Sequence, residues 1–208
     1  MKLVDSIITC LALLPTAALA APNEIKIFTD ELANHGEHTL ETHVNKGRTP
    51  WQVMPEYSYG IWRNWEFSLQ IPMAFGEGSS RMEGTRAELQ YVAPHDAPEG
   101  YYWGLNVEVA RHARPGIIPI VGLRADRWHF VANPGFEGSH FEPAAKVAYR
   151  AFGKNSFGFE HYALERSRTL YFAWDGKVGK SDINLGLGRG LNDTSDRWVL
   201  KMIYEIAF

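Results

Sequence analysis

Thiols are the first thing missing. The one cysteine among the 208 residues, Cys10, lies inside an N-terminal leader, so the remainder of the chain can form neither a disulfide nor a thiolate metal site. Beyond the leader there is no run of about 18 uncharged apolar residues, which excludes transmembrane helices on length. Charge of one sign does not dominate either. Lys and Arg number 21 against 24 Asp and Glu, a net charge of −3, and so near-neutral a chain gives no electrostatic case for nucleic acid. No linker, low-complexity run or internal repeat divides it.

What is present begins with MKLVDSIITCLALLPTAALA: Lys2, an apolar run from Ile7 to Leu14, and Ala18-Leu19-Ala20 ahead of Ala21. These are the three parts of a secretory signal. Pro15 and the small residues after it stop the run short of the roughly 20 residues a spanning helix needs. Ile8 and Thr9 do not make a lipobox ahead of Cys10. The expected division is therefore a signal peptide over residues 1–20 and one domain over residues 21–208.

That domain alternates with period two in segments of about ten residues. In the last segment Trp198, Leu200, Met202, Tyr204, Ile206 and Phe208 alternate with Val199, Lys201, Ile203, Glu205 and Ala207. Trp65, Phe67, Leu69, Ile71, Met73 and Phe75 do the same against Glu66, Ser68, Gln70, Pro72 and Ala74, and Tyr101 to Val109 repeat it against Tyr102 to Ala110. A tilted strand of about ten residues crosses a hydrocarbon layer, whereas the strands of a soluble sandwich average about 5–6. The length and the aromatic content favour an all-β fold: a single antiparallel transmembrane β-barrel, with a soluble sandwich as the competing architecture.

Thirteen segments can be marked, at 24–33, 37–46, 50–61, 64–76, 82–93, 100–112, 116–126, 127–136, 141–152, 155–165, 168–177, 180–189 and 196–208. Single-chain bacterial barrels have even strand numbers, so one segment is surplus. The first is the expected intruder, giving about 12 strands, with 10 as the alternative. Gly76–Ser80, Asp175-Gly176 and Asn192–Ser195 supply turn residues.

In a membrane barrel the polar face must be the lumen, because a charge at the lipid midplane costs about 2–4 kcal/mol. That assigns Glu66, Arg86, Glu88, Glu108, Arg124, Asp126, Glu142, Lys146, Arg150 and Lys201 to the interior as candidates for a solute path. Trp62, Trp65, Trp103, Trp198, Tyr204 and Phe208 fall near strand ends, where indole and phenol rings suit the membrane interface. His35, His38 and His43 form the densest histidine group, but alternation puts His38 on the side opposite the other two. No metal site, cofactor or catalytic residue is expected.

The terminal segment Trp198-Val-Leu-Lys-Met-Ile-Tyr-Glu-Ile-Ala-Phe208 resembles the closing strand of Gram-negative outer-membrane proteins. That resemblance implies an outer-membrane location, a surface against membrane lipid, and recognition of the C-terminal strand by the barrel-assembly machinery, with a monomer by default. Over most of the chain there is a wider similarity to small uncharacterised barrels grouped with outer-membrane transporters of aromatic-degradation operons. It implies passive passage or binding of small molecules, with a closed, salt-bridged interaction barrel as the alternative. Phe157-Gly-Phe-Glu-His-Tyr-Ala163 resembles the histidine segment of the lipid A deacylases, whose nucleophilic serine follows the histidine by two positions. Ala163 stands there in this chain, which sets a lipid-modifying enzyme behind the other two readings. His161 is then expected in the lumen or at the interface.

Overall fold

The computed structural model describes residues 25–47, 51–76, 79–82, 84–95, 98–110, 114–164 and 166–208. The signal segment lies outside them. Fourteen strands follow in chain order: β1 (His38–Lys46), β2 (Trp51–Trp62), β3 (Trp65–Gln70), β4 (Met73–Gly76), β5 (Ser79–Met82), β6 (Arg86–Ala93), β7 (Gly100–Ala110), β8 (Gly116–Ala125), β9 (Trp128–Glu137), β10 (His140–Phe152), β11 (Asn155–Leu164), β12 (Ser167–Val178), β13 (Ser181–Gly190) and β14 (Trp198–Ala207).

Twelve of them close a barrel of antiparallel neighbours: β1, β2, β3, then β6 through β14 and back to β1. The closing seam runs from Thr39 opposite Ala207 to Lys46 opposite Leu200. Closure leaves no edge, so every strand can satisfy its backbone groups inside the sheet. β4 and β5 form a hairpin that continues the wall along the start of β2. The segments expected at 64–76 and 82–93 are thus each broken in two. Pro72, without an N–H to give the ladder, falls in the first break, and Gly84, at φ 106°, falls in the second.

Alternation places the faces as expected. Along β7, Tyr101, Trp103 and Leu105 are exposed while Tyr102, Gly104 and Asn106 are buried. The exposed large side chains of the strands form an apolar outer band, from Leu40, Leu89 and Val121 to Phe159, Phe172, Leu185 and Leu200. At the rim where β1 starts and β14 ends, the β2–β3, β8–β9, β10–β11 and β12–β13 connections are two-residue turns. Asp126 takes φ 54° in one of these, a left-handed conformation that Asp tolerates better than most side chains. Asp175-Gly176, expected as a turn, instead lies inside β12, opposite Asn184 and Ile183 of β13.

Residues 25–34 are not a barrel strand. They run down the inside of the barrel, and the apolar cluster at its centre joins Ile27, Phe28 and Leu32 of this segment to Val92, Tyr102, Ile120, Val131, Tyr162, Tyr171 and Val199 of the wall. Ile25, Ile27, Phe28, Leu32 and Ala33 of this segment are all buried, on no single face. That burial reflects a segment surrounded on all sides rather than one that shares a sheet.

Candidate functional site

The lumen is the site, and residues 25–34 fill it as an internal plug. Side chains of the wall hold the plug's backbone. Asn133 on β9 accepts from the Phe28 N–H (2.8 Å) and donates to the Phe28 carbonyl (3.0 Å). Gln90 donates to the Thr29 carbonyl at 3.1 Å, and Glu66 accepts from the Ala33 N–H at 2.5 Å. At the other end the Ile25 carbonyl accepts from Tyr162 Oη (2.5 Å) and Lys201 Nζ (3.1 Å). On the far side of Ile25 a cavity of about 140 Å³ is lined in part by Tyr162, Thr169, Tyr171, Asp196 and Val199.

Two charged anchors add to these. Asp30, fully buried, receives two bonds from the Arg124 guanidinium, from Nη2 at 2.7 Å and Nε at 3.2 Å. This forked geometry fixes orientation as well as charge. Lys26 Nζ lies 2.9 Å from Glu41 Oε1 and 3.1 Å from Glu56 Oε1. His43 joins this group, with Nε2 bonded to Glu41 and 3.4 Å from Glu56 Oε2. Glu41, His43 and Glu56 are all buried, and one ligand atom from each lies within 4.8 Å of the others. That is a spacing able to hold a cation, and the Lys26 ammonium is the cation found among them.

The expected interior charges are brought together in part. Arg86 pairs with Glu108 at 3.1 Å. Glu88 accepts from Gln70 at 2.5 Å and from Asn106 at 3.3 Å. Lys146 lies 3.2 Å from Glu160 and 2.7 Å from Asp175, and Lys201 pairs with Glu160. Two assignments are corrected. Asp126 sits in the β8–β9 turn, since its left-handed backbone ends the strand there. Arg150 is exposed at the same rim and donates to the Asp126 carbonyl at 3.0 Å, so neither lines the bore.

The aromatic assignments fall on the outer face near strand ends. Trp62, Trp103, Trp198, Tyr204 and Phe208 are exposed, and half-buried Trp65 packs at a tilt against Tyr91, which in turn meets Trp103. Trp198 belongs to the opposite rim, where Arg189 lies over its ring.

The three histidines part company. His43 enters the lumen, His38 stacks on Phe208 at the seam, and His35 binds the Ile61 carbonyl at 2.6 Å. His161 is not in the lumen: on β11 Glu160 and Tyr162 are the inward, buried positions, leaving His161 and Ala163 on the outer face with no hydroxyl at position 163.

The residues missed from sequence are those of the plug, Lys26 and Asp30, with Glu41, Glu56 and Asn133, while His43 and Gln70 were noticed without this role. Their alternation was legible. Their meeting was not, since they come from separate strands.

Fold and lumen together define a class, a closed antiparallel twelve-stranded barrel with an apolar exterior and an interior that carries the charged side chains. Among solved structures the chain is similar to a KdgM porin, at TM-score 0.62 and 11% identity, over 82% of this chain and 99% of that one. It is likewise similar to a KdgM porin in complex with disordered oligogalacturonate, at TM-score 0.60 and 12% identity with the same coverage. At such identity the likeness speaks for the fold, and function has to be argued from the site. No protein-family model and no curated protein sequence matches the chain.

Proposed function

We propose that this chain is an outer-membrane barrel whose lumen gives small polar molecules passage or a binding site, with residues 25–34 as an internal plug. One observation carries the reading: the wall encloses a bore wide enough to hold a length of extended polypeptide. Barrels of about eight strands are filled by their own side chains. Here the filling is a separate segment, joined to the wall largely through hydrogen bonds and ion pairs that water or a polar solute can replace. The outer band of Leu, Phe and Val suits hydrocarbon, and the rim aromatics suit the interface. In this reading the two-residue turns mark the periplasmic rim, the strand ending at Phe208 is what the assembly machinery recognises, and the barrel acts as a monomer.

Planar-bilayer recordings test it. The intact chain is expected to show a low or intermittent conductance, and a variant lacking residues 25–34 a steady and larger one. Absence of conductance from the deletion variant, in a preparation whose gel mobility shifts on heating as a closed barrel's does, would favour the second reading, an interaction barrel with a permanently closed lumen. The apolar packing of Ile27, Phe28 and Leu32 is what speaks for that alternative.

A further inference from the structure

We propose that the acidic side of the lumen, from Glu41 on β1 round to Glu108 on β7 with Glu205 on β14, is a binding surface for organic cations bearing a primary ammonium group. Lys26 occupies it as a tethered ligand. The inference rests on the lumen being a site for small molecules, and it names their chemistry.

Two carboxylates from adjacent strands converge on the Lys26 ammonium, Glu41 at 2.9 Å and Glu56 at 3.1 Å. The group is contributed by the plug, not by the wall. A wall that built its own ion pairs would carry its own cation at this point, as it does elsewhere with Lys146 on β10 and Lys201 on β14 against Glu160 on β11. Among the described residues Glu41, Glu56, Glu66, Glu88, Glu108 and Glu205 stand on this side, and Arg86 of the wall pairs with Glu108. The His43 imidazole sits between Glu41 and Glu56. Glu205 lies directly across the seam from Glu41. Glu41 and Glu56, buried side by side, need a cation, so one that takes the place of Lys26 is favoured over water.

A second observation points the same way. Gln70 and Asn106 are fully buried, and their amide nitrogens reach into the cluster, Gln70 to Glu56 (3.0 Å) and Glu88, Asn106 to Glu88. Their carbonyl oxygens, Gln70 Oε1 and Asn106 Oδ1, have no hydrogen-bond partner among the described residues. Among the described residues these two acceptors are left over beside the carboxylates. An ammonium brings three donors and no acceptor, which is the complement of that surplus. An anionic solute would add acceptors where they are already in excess. Its natural contact is Arg124, on the other side, which the plug engages through Asp30.

The test is equilibrium binding of 1,4-diaminobutane to the folded full-length barrel by calorimetry, with digalacturonate as the anionic probe. Lys26→Gln removes the tethered competitor and is expected to bind the diamine about tenfold more tightly than the parent. Adding Glu41→Gln and Glu56→Gln should abolish that gain, and digalacturonate should gain nothing. A parallel measurement needs no variant: in the unaltered protein, millimolar diamine should speed hydrogen exchange at the Phe28 and Ala33 amides, while digalacturonate should not. Diamine binding unchanged in folded Lys26→Gln, or unchanged exchange in the parent, would overturn the inference, as would an equal response to both probes. Both readouts are at equilibrium. A barrel that binds the diamine without conducting would lose passage and keep this site, while one that conducts but ignores the diamine would do the reverse.

Discussion

Gly122 shows how a single position sets the shape of the bore. A Cβ built there would lie 1.9 Å from Cζ of Tyr102, whose ring rests on the wall, 1% exposed, with its hydroxyl 2.7 Å from His129 Nε2. Gly188 makes the same kind of room for Tyr171 on the opposite side, where a Cβ would come within 2.5 Å of the ring. In both cases the glycine is needed for closeness, and its backbone is that of an ordinary strand. Gly122→Ala is expected to push Tyr102 off the wall and break its bond to His129, at a cost of about 1–3 kcal/mol as is usual for overpacking. A lowered urea midpoint for the refolded barrel in vesicles would register it, and an unchanged midpoint would show that the ring moves aside freely. The sequence carried both glycines, but a glycine inside a strand marks a bulge or a close approach equally well.

The plug is the element on which the molecule's behaviour turns. Its mix of Ile25, Ile27, Phe28, Leu32 and Ala33 with polar residues can be read as a strand, yet the closed ring of twelve offers it no edge once β1 and β14 have paired. Its burial comes from the wall, and the charged anchors add to the apolar and amide contacts that hold it there. Arg124→Ala leaves Asp30 buried without its guanidinium, and breaking one partner of a buried pair costs about 3–5 kcal/mol. The cost falls on docking of the plug rather than on closure of the barrel, because Asp30 belongs to the plug. Faster hydrogen exchange at the Phe28 amide, together with a raised conductance and an unaltered heat-dependent gel shift, is the expected outcome. Protected amides in this variant would show that the Asn133 and apolar contacts anchor the segment by themselves.

For the whole molecule, the inside-out distribution of polarity is the governing fact, with apolar side chains on the outer face and charged ones within. Phe159, 56% exposed and midway along β11, lies on that outer face. Phe159→Arg is expected to cost about 2–4 kcal/mol in a bilayer and to lower the fraction of chain recovered as heat-modifiable barrel. Undiminished recovery would place that face outside hydrocarbon. The sequence by itself determined most of the strands, their two faces, the closing segment that ends at Phe208, and a count of about twelve, with ten as the alternative, once the first segment was set aside; the β4–β5 hairpin was not among them. Period-two alternation is local, written residue by residue, and needs no knowledge of neighbours. Only the tertiary structure decided that the surplus segment lies within the bore, that Lys26 meets Glu41 and Glu56 there, and that Asp126 and Arg150 stand at a rim. Those facts depend on which strands face one another across a closed barrel and where each strand stops. Alternation tells a side chain which way to point, and closure alone tells it what it will find there.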